Sequence, residues 1–358
     1  MLVNNLLFAD QNSYLINTQL SFEETYSDIM PVRIDPSQNK AFLSIMRGCN
    51  NMCSFCIVPF TRGKERSRPY DSILDEVKNL RDQGVQDITL LGQNVNSYHD
   101  TESFKELSNN TETSDTLNLL PHQNSNTGFN EMYKTRKKPG LRFAELLDKV
   151  AKTAPDVRIR FTSPHPKDFP EPVLQAIAEN NNICNQIHLP AQSGNTEMLF
   201  RMRRNHTREA YLELVDNIRA RIPGVAISSD FIAGFCGETE SEFQDTLSLI
   251  ENVKYDFGFL FAYSMREKTH ANRRLNDDVP EVEKKQRLAE MIRIFRENQE
   301  IRAKENLGRY HCILLDGKGK NEGQIKGKTD TFRTVLIESN KIPDVSDIFN
   351  VKSQIVMN

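Results

Sequence analysis

Ser44-Ile-Met-Arg-Gly-Cys-Asn-Asn-Met-Cys-Ser-Phe-Cys56 decides how this chain is read. It sets three thiols, Cys49, Cys53 and Cys56, in a CxxxCxxC run directly after Ala41–Met46, which reads as a strand. Thiolates are the usual ligands of iron–sulfur clusters, and a four-iron cluster needs four ligands or a vacancy. Three cysteines in one loop bind three irons and leave the fourth free for a substrate. The alternative is structural zinc, which needs a fourth ligand in tetrahedral geometry. No fourth Cys or His is close in sequence, although His165 or His188 could reach the loop through the fold. Structural zinc sites usually come as paired CxxC units, so the spacing favours the open cluster. Three unligated buried thiols in one strand-end loop is the weakest reading. The other cysteines, Cys184, Cys236 and Cys312, are scattered singly and read as small buried hydrophobes rather than a disulfide framework.

Outward from this loop the chain repeats a strand–helix rhythm to about residue 305. Asp71 to Leu80 has Ile73, Leu74, Val77 and Leu80 at helical spacing, with Asp71 or Ser72 as N-cap and Gly84 at the exit. Strands are expected at Val85–Leu91, Val157–Thr162, Gln186–Leu189, Val225–Ile232 and Phe257–Tyr263. Helices are expected at Phe143–Val150, Pro172–Ala178, Arg208–Arg221, Thr239–Val253 and about Pro280 to Asn306. Six β–α units in succession imply an α/β fold, a parallel sheet partly closed into a barrel with helices outside. Gly92-Gln93-Asn94, Ser163-Pro164-His165, Gln192-Ser193-Gly194, Gly234 to Glu238 and Ser264 to Arg266 all follow predicted strands, as the cysteines do. In barrel folds that rim is where chemistry is built.

Residues 100 to 139, rich in Ser, Asn, Thr and charge, break the rhythm and read as a mobile insertion. After Gly308 short alternating runs, Tyr310–Leu315 and Thr334–Ile337, are separated by Gly- and Lys-rich turns and suggest a small β appendage. The organisation expected is therefore 1–34 as a remnant or linker, 35–307 as the barrel and 308–358 as the appendage.

The 38% hydrophobic and 27% charged composition is that of a globular chain. No stretch approaches the roughly 20 apolar residues of a membrane span, so no membrane partner is expected. The first residues have neither a signal peptide nor the Arg- and Ser-rich character of a transit peptide. A net charge of −3 gives no global support for a nucleic-acid partner. Basic residues cluster locally at 62–68, 134–138, 201–204 and 318–328, each of which reads first as a solvated face.

CxxxCxxC after the first strand of a six-unit barrel resembles the radical S-adenosylmethionine (SAM) superfamily, and the surrounding motifs resemble its MiaB-type tRNA methylthiotransferases. The matching segments include Thr61-Arg-Gly-Lys-Glu-Arg-Ser-Arg-Pro69, Leu91-Gly-Gln-Asn-Val-Asn-Ser-Tyr98, Arg160-Phe-Thr-Ser-Pro-His165, His188-Leu-Pro-Ala-Gln-Ser-Gly194, Asp230-Phe-Ile-Ala-Gly-Phe-Cys-Gly-Glu-Thr239 and Phe261-Ala-Tyr-Ser-Met-Arg266. The polar insertion and Cys236 are similar to the eukaryotic mitochondrial branch. The resemblance implies a [4Fe-4S] cluster on Cys49, Cys53 and Cys56, both metal ligands and catalytic. It implies SAM on the fourth iron, an electron donor, and tRNA bound by its anticodon stem-loop in the mitochondrion. A 5′-deoxyadenosyl radical would take hydrogen from C2 of N6-isopentenyladenosine, and a methylthio group would replace it.

By position on the strand ends, Gly92, Gln93 and Asn94 are candidates for the SAM methionine end. Ser163, Gln192, Ser193, Asp230 and Arg266 are candidates for the ribose and substrate side. Each of these could equally be a polar residue that ends a strand. Arg62, Arg66 and Arg68 are candidate phosphate or SAM-carboxylate contacts, because guanidinium matches both geometries. The appendage resembles the start of a TRAM domain, a small tRNA-holding β-barrel, with the resemblance fading after about Ile337, and Lys318 and Lys328 are its candidate backbone contacts. One departure stands out. Family members carry an N-terminal domain with three further cysteines, whereas the 48 residues before Cys49 contain none. The expectation is a truncated gene model or splice form, the alternative function being a cluster- and SAM-binding isoform without sulfur transfer.

Overall fold

Along Lys40–Ser44 (β1), Leu43 is fully buried while its neighbour Phe42 is 73% exposed. Alternate side chains of a strand point to opposite faces, so one face of this strand meets helices and the other is open. The computed structural model describes residues 38–103, 139–308, 310–338 and 355–357. The expected remnant at 1–34, and 104–138 of the expected insertion, lie outside them.

Five more parallel strands follow: Asp87–Leu91 (β2), Arg158–Phe161 (β3), Gln186–His188 (β4), Ala226–Ala233 (β5) and Phe257–Ala262 (β6). They stand in chain order, β1-β2-β3 and β4-β5-β6. A parallel bridge between Ile159 and Ile183 joins the two halves. Phe42, Thr89 and Arg160 lie in one register row, and Asp230 lies beside Phe259 in another. The strands are followed in turn by Tyr70–Asp82 (α1), Phe143–Thr153 (α2), Glu171–Glu179 (α3), Arg208–Arg221 (α4), Glu240–Val253 (α5) and Glu281–Lys304 (α6). The architecture is thus a partial (β/α)6 barrel, with β1 and β6 as the ends of the strand order. Ile73, Val77, Leu146, Val150, Ile218 and Ile250 of the helices join Leu43, Ile88, Leu90, Ile159 and Ile227 of the strands in one apolar core.

The start of α1 differs from expectation. The helix begins at Tyr70, and its N-cap residue, Pro69, offers no side-chain cap. The Tyr70 N–H instead donates to Asp100 Oδ2 at 2.8 Å, so a carboxylate 30 residues away fills the role of a local cap. Asp100 is in a short strand, His99–Asp100, paired antiparallel with Leu141–Arg142. This pair forms the stem from which the 104–138 segment departs. At the start of α5, Thr239 and Glu242 form a reciprocal capping box.

The appendage is a four-stranded antiparallel sheet made of His311–Lys318 (β7), Gln324–Thr329 (β8), Thr334–Glu338 (β9) and Ile355–Met357 (β10), ordered β9-β8-β7-β10. Residues 324–329 read in sequence as a Gly- and Lys-rich turn, yet they form one of the two inner strands. Their inward positions are Ile325, Gly327 and Thr329, only one of which is a large apolar residue, so the alternation carries little hydrophobic signal. The sheet packs against the N-terminal ends of the barrel strands. Asn39 donates to Leu315 O, Lys40 pairs with Asp316, Arg158 donates to Lys328 O and Cys312 O, and Asp256 pairs with Arg333. Arg160, at 4% exposure, ties Asp87 at 3.0 Å and Gln186 at 3.0 Å to Asp330 O and Thr329 O. The appendage therefore closes the end of the barrel opposite the cysteine loop.

Candidate active site at the strand ends

Gly48 turns the chain from the short strand Met46–Arg47 into the cysteine loop with φ +80. A Cβ there would lie 2.1 Å from Lys64 O, so only glycine fits. Its N–H donates to Gln93 Oε1 at 2.5 Å, which ties the loop to the end of β2. Beyond it Cys49 and Cys53 are buried and Cys56 is half-buried. Ser54 anchors the loop from behind. Its N–H donates to Met202 O at 2.9 Å, its hydroxyl to Arg201 O at 2.8 Å, and its carbonyl accepts from Ala271 N at 2.8 Å. Two short helices, Thr196–Arg201 and His270–Arg274, thereby back the loop.

Burial dominates the electrostatics of the loop. Burial pushes the Cys49 thiol up to about 12; the Asn51 N–H opposes this, and the charges of Glu65, Cys53 and Cys56 add to it. The Cys56 thiol is raised for the same leading reason, burial, and the charge of Arg204 opposes the rise. A metal bound here would have to displace these protons, since the thiolate is the ligand. Among the described residues, no three His, Cys, Asp or Glu side chains converge as they would on a single metal ion. His188 is also committed elsewhere, with Nδ1 3.0 Å from Ser228 Oγ and Nε2 3.3 Å from Asp230 Oδ2.

Beside the loop lies a group of acceptors. Glu65 accepts from Asn50 N at 3.1 Å and from Asn94 Nδ2 at 3.2 Å, and the same Asn94 nitrogen reaches Asp168 Oδ2 at 3.2 Å. Asn94 is buried, and its Oδ1 has no partner. Asn94 thus bridges two carboxylates through its nitrogen and leaves its oxygen as an orphaned buried acceptor, a setting that suits an ammonium group. Ser163 and Gln192, at the ends of β3 and just past β4, both take positive φ, 60° and 73°. Such backbone costs about 1–3 kcal/mol in a non-glycine residue and clusters at functional sites. The Gln192 N–H and C=O are locked to Asp230 O and Ile232 N, which fixes the turn. Asp230 faces the lumen with Oδ1 unpartnered. Phe259 and Phe261, 59% and 52% exposed, stand on the alternating positions of β6 beside it. Arg266 is exposed on the segment after β6.

Not every candidate comes to this rim. Ser193 is fully buried against α5, its hydroxyl 3.2 Å from Thr246 Oγ1, and serves packing there. Gly234, with φ +72, passes within a Cβ's reach of the Lys284 stem, so its small size accommodates α6. Arg68 is built into the scaffold, with Nη1 on Ser44 O at 2.8 Å and on Glu76 Oε2 at 2.7 Å. Arg66 pairs with Arg47 across a short antiparallel ladder, and Arg62 is exposed beside the loop. Lys318 and Lys328 belong to the appendage, at the far end of the strands. Lys328 is held over the Phe332 ring at 4.3 Å and on Thr334 Oγ1 at 2.7 Å.

One residue of the rim was hidden in the sequence. Arg204 belongs to a basic run that reads as a solvated face, yet it is 4% exposed, with Nη1 3.6 Å from Cys53 Sγ. Its charge is a secondary reason, after burial, that His165 is held well below the usual histidine range and His206 at about 3.

Comparison with known proteins places these features. Residues 43–250 match the model of the Radical SAM superfamily, whose cofactors are a [4Fe-4S] cluster and SAM. The chain is 50% identical over 343 residues to mitochondrial tRNA methylthiotransferase CDK5RAP1 of Mus musculus, covering 96% of this chain and 56% of that protein. The Homo sapiens protein of the same name is 50% identical over 357 residues, covering 96% and 57%. The tRNA-2-methylthio-N(6)-dimethylallyladenosine synthase of Chloroherpeton thalassium is 44% identical over 352 residues, covering 98% and 69%. The chain thus spans a little over half the length of its mammalian relatives. No helix among the described residues is long and apolar enough to cross a membrane. With the cysteine loop on the strand ends of an open barrel and identity at this level over nearly its whole length, the chain belongs to the radical SAM superfamily and, within it, to the tRNA methylthiotransferase family.

Proposed function

We propose that this chain carries the radical core of a mitochondrial tRNA methylthiotransferase, with N6-isopentenyladenosine next to the anticodon as substrate and its 2-methylthio derivative as product. Cys49, Cys53 and Cys56 would hold the cluster, and Gly92, Gln93 and Asn94 the methionine end of SAM. The bound cofactors supply the radical that activates C2 of the adenine. The protein's part is to bind, orient and exclude water. The anchored Ser54 fixes the loop, and the buried walls keep solvent from Cys49 and Cys53. Asp230 Oδ1 offers an acceptor to a base N–H beside Phe259 and Phe261, whose faces suit a flat ring. Arg62, exposed at the same rim, is the phosphate contact this arrangement favours, with Arg66 next to it. The appendage of 308–358 would hold tRNA through Lys318, at the other end of the strands.

The observation that carries the reading is the gathering of the three thiols, the Asn94 acceptor and the His188–Asp230 pair at one end of an open barrel. The test is to incubate the anaerobically reconstituted chain with SAM, dithionite and isopentenylated tRNA, then analyse the digested nucleosides by mass spectrometry. Methylthio-modified adenosine together with 5′-deoxyadenosine is the expected result. Free 5′-deoxyadenosine alone would keep the radical step and remove sulfur transfer from what this stretch does by itself. Neither product from a chain with full iron content would overturn the proposal.

A further inference from the structure

Arg204 carries a buried charge without a buried counter-charge. Its Nη2 donates to Pro190 O at 2.5 Å, its Nη1 faces Cys53 Sγ, and its Nε has no partner. No carboxylate among the described residues pairs with it. His165 and His206, which its charge reaches, are held neutral and offer nothing negative. A cation taken out of water is costly unless something of opposite sign meets it. The backbone pays particular attention to this placement: Arg203 and Asn205, on either side, both take positive φ, 58° and 60°. Two left-handed residues around one arginine turn its side chain inward while Arg203 bonds His270 at 2.8 Å on the other side.

We infer that Arg204 is the fixed counter-charge of the iron–sulfur cluster and sets, through Cys53, how readily the cluster accepts its electron. This rests on the reading that the three cysteines ligate that cluster. When one electron passes to the cluster from a reductant, no bond forms or breaks and the cluster becomes more negative by one charge. Hydrogen bonds and charges at the ligating sulfurs are among the main determinants of cluster potential. A guanidinium held against one sulfur favours the reduced state, so removing it makes reduction harder. Arg204 acts on the cluster through a ligand and is a positioning residue in this sense.

The test is an EPR-monitored redox titration with titanium(III) citrate, without SAM, on reconstituted wild type, Arg204→Gln and Arg204→Lys. Omitting SAM separates this role from any contact with the SAM carboxylate. Arg204→Gln should shift the reduction equilibrium against the reduced cluster by about tenfold, the scale of one charge-assisted hydrogen bond. For one electron that is a midpoint about 59 mV more negative. Arg204→Lys should fall between, and Arg203→Gln should match wild type. An unchanged midpoint in Arg204→Gln at equal iron content overturns the inference. Loss of the cluster from both Arg204 variants also overturns it, because the residue would then serve assembly. If wild type itself assembles no cluster, the reading of the cysteines fails instead.

Discussion

Cys53 is where the local chemistry concentrates: a buried thiol with Arg204 on its sulfur, one residue before the thrice-bonded Ser54. Cys53→Ala should remove the brown absorbance and most of the iron from the reconstituted chain, since two thiolates cannot replace three on separate irons. Cys184→Ala removes an equally buried thiol from a site between β3 and β4 and should keep both. Equal colour and iron in wild type and Cys53→Ala would sink the assignment. The three thiols were legible in sequence because ligand spacing is local. Arg204 was not, because Arg201, Arg203 and Arg204 look alike as a run of charge. Their environments diverge: Arg201 binds Gly237 O and Glu242, Arg203 meets His270, and Arg204 turns under the cysteine loop. The backbone reversal that separates them involves no glycine or proline, and Asn205, a residue type that tolerates left-handed backbone, is only a weak cue to it.

At the scale of elements, the capping box of α5 links a helix end to the site. Glu242 Oε2 accepts from Thr239 N at 2.8 Å and from its hydroxyl at 3.0 Å, while Oε1 pairs with Arg201 Nη2 at 2.8 Å. Arg201 in turn offers its carbonyl to Ser54. Thr239→Ala should cost about 1 kcal/mol, lowering the melting temperature by about 2 °C, and Thr239→Ser should restore most of it. Calorimetry of the two variants checks this; a melting temperature unchanged by the alanine would mean the cap contributes nothing. The helix was readable from its sequence, as were the helix faces and most strand ends, because periodicity is a property of short windows. The cap of α1 was unreadable, since it comes from Asp100 across the sheet stem. The strand Gln324–Thr329 was hidden for a related reason: pairing on both sides, with β7 and β9, holds it where composition would not.

For the whole molecule the fold separates two ends by the length of its strands, about 16 Å for a five-residue strand such as β1. The cysteine loop occupies one end and the appendage closes the other. Arg160 is the junction of that closure, since one guanidinium joins β2, the start of β4 and two carbonyls of the appendage. Arg160→Met keeps much of the buried volume but leaves Asp87 buried without its partner, and breaking such a pair costs about 3–5 kcal/mol. The loss falls on the contact between barrel and appendage, so limited proteolysis should cut within 310–338 faster than in wild type. The loop is anchored by Ser54, Gly48 and the two short helices, none of which touches Arg160. Iron content per folded chain should therefore remain at the wild-type level in Arg160→Met. Parallel loss of iron and of protease resistance would show that the two ends are not independent, and that the appendage supports the site through the barrel wall.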